Sequence, residues 1–251
     1  MLKFFLFAFT MRYMKTQTLL APFRRAIEDY KMIEEGDKIA IGVSGGKDSL
    51  TLLALMKALQ RFYPKKFDLI AISIDLSNGK MNYDSIEKYC TSIDVPFYKE
   101  VSNVFEIVFD IRKEKNPCSL CANMRRGLLN SKAKELGCNK VALGHHCDDL
   151  IETFVMSLFF EGRLYCLQPK SYLSRTDLHM IRPMLLVEEK DIQDLSKELP
   201  IVKNSCPANH HTQREKAKSI LQTFEKQYPD SKEKILNALT NPERYNLMAK
   251  K

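Results

Sequence analysis

The chain lacks tryptophan and any long apolar run among its 251 residues. The missing tryptophan excludes no function. The apolar stretch from Met1 to Phe9 is about half the ~20 residues that a membrane-spanning helix needs, and no small-residue cleavage site of a secretory signal follows it. Met11 and Met14 come soon after, so either is an alternative start. We therefore expect a cytoplasmic protein without a membrane segment.

The composition is not that of a disordered chain. Hydrophobic residues make up 45% and charged residues 28% of the sequence, as in an ordinary globular protein. The formal net charge is +8. Because lysine and arginine gain free energy by displacing counterions from phosphates, this excess indicates a polyanionic partner. A basic enzyme without such a partner is the alternative.

No internal repeat and no low-complexity linker divides the chain. We predict an N-terminal segment and helix over 1–35, a catalytic domain over 36–221 and a helical tail over 222–251. Apolar patterning predicts strands at 38–43, 67–74, 96–101 and 140–143, and an edge strand at 181–183. Helices are predicted at 18–35, 50–62, 83–92, 119–136, 149–160, 188–199, 212–226 and 231–248. This alternation predicts an α/β fold with a mainly parallel sheet flanked by helices.

Six residues after the first predicted strand form a glycine loop: Ser44, Gly45, Gly46, Lys47, Asp48 and Ser49. Gly45 and Gly46 can take positive φ and let the backbone approach an anion closely. Backbone N–H groups and the start of the following helix then attract phosphate, and Lys47 supplies a cation. Asp48 would reach a bridging Mg²⁺ or cap the helix. The spacing is not that of a Walker loop. A capping turn with incidental glycines is the alternative.

The loop resembles the PP-loop of the N-type ATP pyrophosphatases. Members of that group cleave ATP between the α and β phosphates and transfer AMP to a substrate oxygen. Gly144-His145-His146-Cys147-Asp148-Asp149 with Glu152-Thr153, and Ile181-Arg182-Pro183, resemble signatures of the tRNA-modifying members. The resemblance implies nucleotide-binding residues at the loop and beyond it: Ser44, Gly45, Gly46, Lys47, Asp48, Ser49, Asp75, Gly144 and His145. It implies catalytic roles for Lys47, Asp48 and Asp149.

The seven cysteines have no convincing secretory context, so we expect thiols or metal ligands rather than disulfides. Cys118 and Cys121 form a Cys-x2-Cys ahead of a predicted helix, which is moderately specific for metal or thiol redox chemistry. Arg125 and Arg126 follow closely. Cys206 lies far along the chain, and Gln213-Arg214 comes after it. Together with the loop, this combination closely resembles the tRNA 2-thiocytidine synthetase family from about residue 33 to 221.

In that family three cysteines hold a 4Fe-4S cluster, and they match Cys118, Cys121 and Cys206. Three protein ligands leave one iron open, and an open iron can carry a sulfide. Many members have a second Cys-x2-Cys around the third ligand, where Lys203 stands here. Structural zinc completed by a histidine, His210 or His211, is the alternative. We interpret Cys90, Cys138 and Cys166 as incidental or buried thiols. For Cys147, which lies inside the His-His-x-Asp-Asp run, a persulfide role is the alternative.

The resemblance implies an enzyme that uses ATP and Mg²⁺ to adenylate O2 of cytidine 32 in tRNA and then replaces it with sulfur. Arg125, Arg126 and Arg214 are the expected RNA contacts. A cysteine desulfurase is the expected kind of sulfur donor, and we expect a homodimer. The alternatives are a lysidine synthetase-like ligase, which needs no cluster, and a uridine thiolase, which usually carries additional terminal Cys-x2-Cys pairs. A non-catalytic RNA-binding protein with structural zinc is the alternative from a different class.

Overall fold

The computed structural model describes residues 18–112, 117–202 and 213–245. Cys206, Lys203, His210 and His211 lie outside these ranges. The helices are α1 (residues 18–29), α2 (Lys47–Gln60), α3 (Asp84–Ser92), α4 (Pro117–Glu135), α5 (Cys147–Glu161), α6 (Glu189–Ser196), α7 (Gln213–Gln227) and α8 (Ser231–Thr240). A π-helical turn (Glu106–Ile111) and a 3-10 turn (Pro242–Arg244) complete the helical segments. None of the helices in the three described ranges is long and apolar enough to cross a membrane.

The strands are β1 (Asp37–Gly42), β2 (Phe67–Asp75), β3 (Phe97–Val101), β4 (Lys140–Ala142), β5 (Lys170–Leu173) and β6 (Leu178–Ile181). They form one six-stranded sheet in the order β3-β2-β1-β4-β6-β5. Every neighbouring pair is parallel except the terminal β5–β6 pair, which is antiparallel. The prediction of an α/β fold with a mainly parallel sheet is confirmed.

Several predicted elements are wrong in detail. The first helix ends at residue 29 rather than 35, just before the left-handed backbone of Lys31 at φ +47°. The strand ending at Ile181 is not an edge strand, because it lies between β4 and β5. The sequence analysis missed β5, a short and mostly polar strand that returns to β6 through a tight turn with Asp177 at φ +52°. The last helix ends at Thr240 rather than 248, because a proline at 242 restricts the residue before it and cannot continue the helix.

The sheet is covered by helices on both faces, which explains its nearly continuous apolar strands. Ile39 and Ile41 of β1 join the apolar cluster that contains Phe23 and Leu53 of the helices on one face. Ala40, between them, joins the second cluster with Leu129 of α4 and residues from β2 and β4. Successive β1 side chains thus point to opposite faces, as the pleat requires.

A buried ion pair fixes the amino ends of β1 and β4. Lys140 Nζ lies 2.6 Å from Asp37 Oδ2, and both side chains are only 2% exposed. Asn139 Nδ2 donates to Asp37 Oδ1 over 2.7 Å, and the Glu34 backbone N–H donates to Asp37 Oδ2. The loops that follow the carboxyl ends of these strands lie at the opposite edge of the sheet.

The chain divides into two compact units. Among the described residues, an α/β unit comprises 18–112, 117–146 and 168–202, and a helical unit comprises 147–167 and 213–245. The helical unit packs α5, α7 and α8 around Cys147, Ile151, Val155, Ala217 and Leu221. The predicted limits of the catalytic domain, 36–221, stay a prediction.

Candidate active site

The glycine loop connects β1 to α2, as predicted, but only one of its glycines uses a left-handed backbone. Gly45 has φ +85°, a conformation that other residues rarely adopt. Gly46 has φ −79° and ψ 163°, which any residue can adopt, and a Cβ there would meet only Ser44 Oγ at 3.5 Å. Of the two glycines that can take positive φ, only Gly45 does so.

Hydrogen bonds within the loop hold it in shape. The hydroxyl of Ser49 donates to the Gly46 carbonyl over 2.9 Å and accepts from the Ser44 N–H over 3.0 Å. The Ser44 hydroxyl lies 3.1 Å from Ser49 Oγ and accepts from the Gly46 N–H over 3.3 Å. From outside the loop, the Val202 N–H donates to the Gly45 carbonyl over 3.0 Å. The hydrogen bonds of Ser44 and Ser49 thus hold the loop in its shape.

The start of α2 is built to receive an anion. Within the described ranges no side chain caps this helix, whose N-cap is Gly46. The first N–H groups of a helix have no partner inside the helix, so those of Lys47, Asp48 and Ser49 point out of its end. They carry the positive end of the helix dipole, which favours phosphate. The loop and the helix start together therefore form an anion site.

The ammonium of Lys47 lies between two carboxylates beside this anion site. Its Nζ is 2.7 Å from Asp48 Oδ1 and 3.0 Å from Glu189 Oε1 on α6. Burial is the largest influence and would lower the pKa of Lys47, but the hydrogen bonds and charges of the two carboxylates outweigh it and raise the pKa. Lys47 is therefore a permanent cation at neutral pH.

The loop after β4 packs directly on the start of α2, because β1 and β4 are parallel neighbours. A Cβ on Gly144 would stand 2.9 Å from the Asp48 carbonyl oxygen and 3.1 Å from the Ser49 nitrogen. The next-but-one residue, His146, is buried, and its Nε2 lies 3.8 Å from Asp48 Oδ1. The structure thus brings the predicted residue Gly144 to the phosphate loop and adds His146.

Asp75 ends β2 at the same edge of the sheet and is fully buried. Its Oδ1 accepts hydrogen bonds from the Ser77 N–H over 2.9 Å and the Ser77 hydroxyl over 2.6 Å. Its Oδ2 has no hydrogen-bond partner among the residues that the structure describes. An unpaired buried carboxylate oxygen is costly, so this position suits a ligand that donates a hydrogen bond.

His145 contacts Arg182, which follows β6. Arg182 Nε donates to His145 Nδ1 over 3.2 Å. Three residues of this site were not among the predicted site residues: His146, Arg182 and Glu189. The first two lie within motifs that the sequence analysis quoted, so a signal was present. The sequence held no such signal for Glu189, because only the packing of α6 against α2 brings it to Lys47.

Two other predicted residues pair with each other in the helical unit. Arg214 Nη1 contacts Asp149 Oδ1 and lies 3.3 Å from Glu152 Oε2. Lys232 Nζ lies 3.0 Å from Asp148 Oδ1. The charges of Arg214 and Asp149 therefore compensate each other, and the catalytic and RNA-binding roles predicted for them stay predictions.

The first described turn of α4 carries two of the three predicted cluster ligands. Cys118 is exposed and Cys121 is half-buried, and their spacing of three places them on one face of the helix. Arg125 and Arg126 follow on the same helix. The third predicted ligand, Cys206, lies outside the described residues. Across the part of the chain that the structure describes, no three histidine, cysteine, aspartate or glutamate side chains gather as a metal site.

Three other cysteines have the properties of inert thiols. Burial raises the pKa of Cys90 to about 11, and it also raises the pKa of Cys138 and Cys166. Since the thiolate is the ligand and the nucleophile, protonated thiols at neutral pH are poor at both. This supports the interpretation of these residues as incidental.

The two loop glycines should respond differently to substitution. Gly45→Ala forces a side chain into the left-handed region, at a cost of about 1–2 kcal/mol, and its Cβ would stand 3.3 Å from Val202 Cβ. We expect roughly tenfold weaker ATP binding, measured by calorimetry. Gly46→Ala is the matched control and should bind ATP nearly as the parent does. Equal losses in the two variants would show that backbone strain at Gly45 is not what shapes the loop.

Comparisons with known proteins agree with this geometry. The chain matches the PP-loop domain family over residues 16–217. It is 39% identical over 222 residues to a tRNA-cytidine(32) 2-sulfurtransferase of Pelobacter propionicus, which covers 86% of this chain and 82% of that protein. It is 37% identical over 229 residues to the protein of the same name from Geobacter metallireducens, covering 89% of each.

Among solved structures, the chain is similar to the U34-tRNA thiolase NcsA from Methanococcus maripaludis, determined with its 4Fe-4S cluster. The TM-score is 0.69 at 25% sequence identity, and the match covers 92% of this chain and 81% of that one. The resemblance inferred from the loop and the cysteines is confirmed. The chain belongs to the PP-loop domain family and, within it, to the family of the tRNA-cytidine(32) 2-sulfurtransferases.

Proposed function

We propose that this chain is an ATP-dependent tRNA sulfurtransferase that converts cytidine 32 to 2-thiocytidine. The observation that carries the proposal is the anion site made by the Gly45 turn, the uncapped start of α2 and the cation of Lys47. The relatives at 37–39% identity, which are named for this reaction, support the choice of substrate.

The triphosphate of ATP would lie over the loop. Backbone N–H groups at the start of α2 would donate to its oxygens, and Lys47 would turn from its carboxylate partners toward the phosphates. Asp48, released from Lys47, would hold Mg²⁺, which when bound neutralises charge on the phosphates. The unpaired Oδ2 of Asp75 would accept a hydrogen bond from the nucleoside. The described residues therefore fit a magnesium-bound nucleotide.

The adenylation step breaks one bond of ATP and forms one bond to the base. O2 of the cytosine attacks the α-phosphorus, and pyrophosphate leaves with the electrons of the α–β bridge. The helix N–H groups and Lys47 stabilise the negative charge that builds up on the phosphates. Sulfur then adds at C2 and AMP departs with the former O2, so the product is 2-thiocytidine. Adenylation is needed because a carbonyl oxygen is otherwise a poor leaving group.

Cys118, Cys121 and Cys206 would hold the 4Fe-4S cluster. The two described cysteines fit such a group, since they share a helix face and at least one is open to solvent. When bound, a cluster with three protein ligands supplies one iron with an open position for exogenous sulfur. The similar thiolase NcsA carries a 4Fe-4S cluster. Delivery of that sulfur by a cysteine desulfurase, and a homodimeric assembly, remain parts of the proposal.

Arg125 and Arg126 would contact the tRNA backbone beside these cysteines. Arg126 lies on the exposed side of α4, where its Nη2 donates to Asn123 Oδ1 over 2.7 Å. A phosphate oxygen can replace that amide as the acceptor. Cytidine 32 belongs to the anticodon loop, where a base can be splayed from its stack and reached by the enzyme.

Mass spectrometry of tRNA nucleosides from a deletion strain tests this function. We expect 2-thiocytidine to disappear and to return when the parent chain is supplied, but not with Lys47→Met. Lys57→Met is the matched control, because Lys57 lies at the other end of α2 beside Asp94, and it should restore the nucleoside. Loss of a thiouridine instead would identify a uridine thiolase. Unchanged thionucleosides in the deletion strain would contradict the proposal.

A further inference from the structure

Arg182 is buried where β6 ends, at the carboxyl ends of the parallel strands that carry the anion site, with only 7% of its surface exposed. Contacts within the α/β unit hold its guanidinium in place. Nη1 donates to the Gln168 carbonyl over 2.5 Å, Nη2 lies 3.2 Å from Met180 Sδ, and Nε donates to His145 Nδ1 over 3.2 Å. The side chain is thus held through Nη1 and Nη2, while Nε donates to the histidine.

The sheet topology creates this contact. β4 and β6 are parallel neighbours in register, with Ala142 opposite Ile181. The Leu143 N–H continues the ladder by donating to the Ile181 carbonyl over 3.0 Å. The residue after β6 and the residues after β4 therefore leave the sheet side by side. The Arg182 N–H also donates to the Pro169 carbonyl over 2.9 Å, which fixes the arginine backbone.

The hydrogen bond determines which nitrogen of the imidazole carries the proton. A guanidinium can only donate, so His145 Nδ1 must be the acceptor and carries no proton. A neutral imidazole then has its proton on Nε2. A second proton on Nδ1 would point at a permanent cation and lose this hydrogen bond.

We propose that Arg182 is a positioning residue that holds His145 as the neutral Nε2–H tautomer. The histidine is then a hydrogen-bond donor with a fixed ring, rather than a proton acceptor at Nδ1. A donor at this place fits an oxygen of a bound nucleotide. That last role rests on the proposed function, whereas the tautomer itself does not.

Nitrogen NMR of the free protein tests the tautomer without ATP or tRNA. In the uniformly ¹⁵N-labelled protein, a two-bond ¹H–¹⁵N spectrum at neutral pH distinguishes protonated from unprotonated ring nitrogens. The His145→Asn variant assigns the signals among the five histidines. We expect an unprotonated Nδ1 and a protonated Nε2 for His145. A proton on Nδ1, with or without one on Nε2, would overturn the proposal.

Variants then show whether Arg182 is responsible. Arg182→Met removes every donor, so the His145 signals should shift toward an average of the two tautomers, and Arg182→Lys should partly retain the parent pattern. Met180→Leu is the matched control, because it removes a neighbour of the guanidinium but leaves the bond to His145. His179 on β6, whose ring packs 5.2 Å from that of Tyr172, reports on the fold. Unchanged His145 signals in Arg182→Met would contradict the positioning role.

The NMR experiment still tests the proposal if Arg182→Met does not fold. The parent spectrum still gives the tautomer of His145. The positioning role then requires the preference for this tautomer to be weaker in Arg182→Lys than in the parent. Addition of ATP to the parent protein separates the two ideas. An Nε2–H tautomer that does not respond to ATP would leave the positioning role intact and contradict the contact between His145 and the nucleotide.

Discussion

Replacing Cys118 or Cys121 by alanine should abolish tRNA thiolation and leave the purified protein without iron or labile sulfide. The two thiols lie on one face of α4 where at least one is accessible. With only three cysteine ligands in the proposed site, the loss of one leaves too few to retain a cluster. The anion site belongs to different elements, β1 and α2. Adenylation should therefore survive at least in part, as measured by pyrophosphate release in the presence of tRNA.

The measurement is iron and sulfide content after anaerobic purification, together with the visible colour of the protein. Cys138→Ala is the matched control, because burial raises the pKa of that thiol and keeps it protonated. It should retain both the cluster and thiolation. A colourless parent protein with one zinc per chain and no cluster after reconstitution would overturn the iron–sulfur mechanism in favour of structural zinc.

Gly144→Ala should lower kcat/KM for ATP by roughly ten- to a hundredfold. The added Cβ would stand 2.9 Å from the Asp48 carbonyl oxygen and 3.0 Å from its carbon. Backbone cannot rotate away as a side-chain end can, so the loop after β4 must separate from α2. Overpacking of this kind costs about 1–3 kcal/mol, and each 1.4 kcal/mol in a barrier is about tenfold in rate.

Steady-state pyrophosphate release in the presence of tRNA measures this effect. Gly127→Ala is the matched control, because a Cβ at that position on α4 meets nothing within 4 Å. Its activity should equal that of the parent. If Gly144→Ala is equally active, the close approach of the two loops has no part in holding the nucleotide.

The sequence was sufficient to predict the parallel sheet and the place of the phosphate loop. Buried parallel strands such as β1 and β2 are short apolar runs, and each is followed by a helix of clear period. The sequence did not predict β5, since a strand of only four residues that begins with the polar pair Lys170 and Ser171 has too little apolar signal. Nor could it tell which of Gly45 and Gly46 has the left-handed backbone, because glycine permits that conformation without requiring it.

Long-range pairing could not be predicted from local pattern. Glu189 reaches Lys47 only because α6 packs on α2. Arg214 forms ion pairs with Asp149 and Glu152, residues about sixty positions earlier, and its predicted contact with RNA stays a prediction. A charged side chain in a sequence has many possible partners, and the fold decides which of them lies within reach.

The buried pair of Asp37 and Lys140 separates folding from chemistry along the same two strands. Removing Lys140 would leave the carboxylate of Asp37, which is only 2% exposed, without its cation, a loss of about 3–5 kcal/mol in stability. The groups proposed to act on ATP lie beyond the carboxyl ends of these strands. In a genetic screen, substitutions at the amino edge should therefore appear as temperature-sensitive alleles that keep their activity at low temperature. Null alleles with normal protein abundance should lie at the other edge.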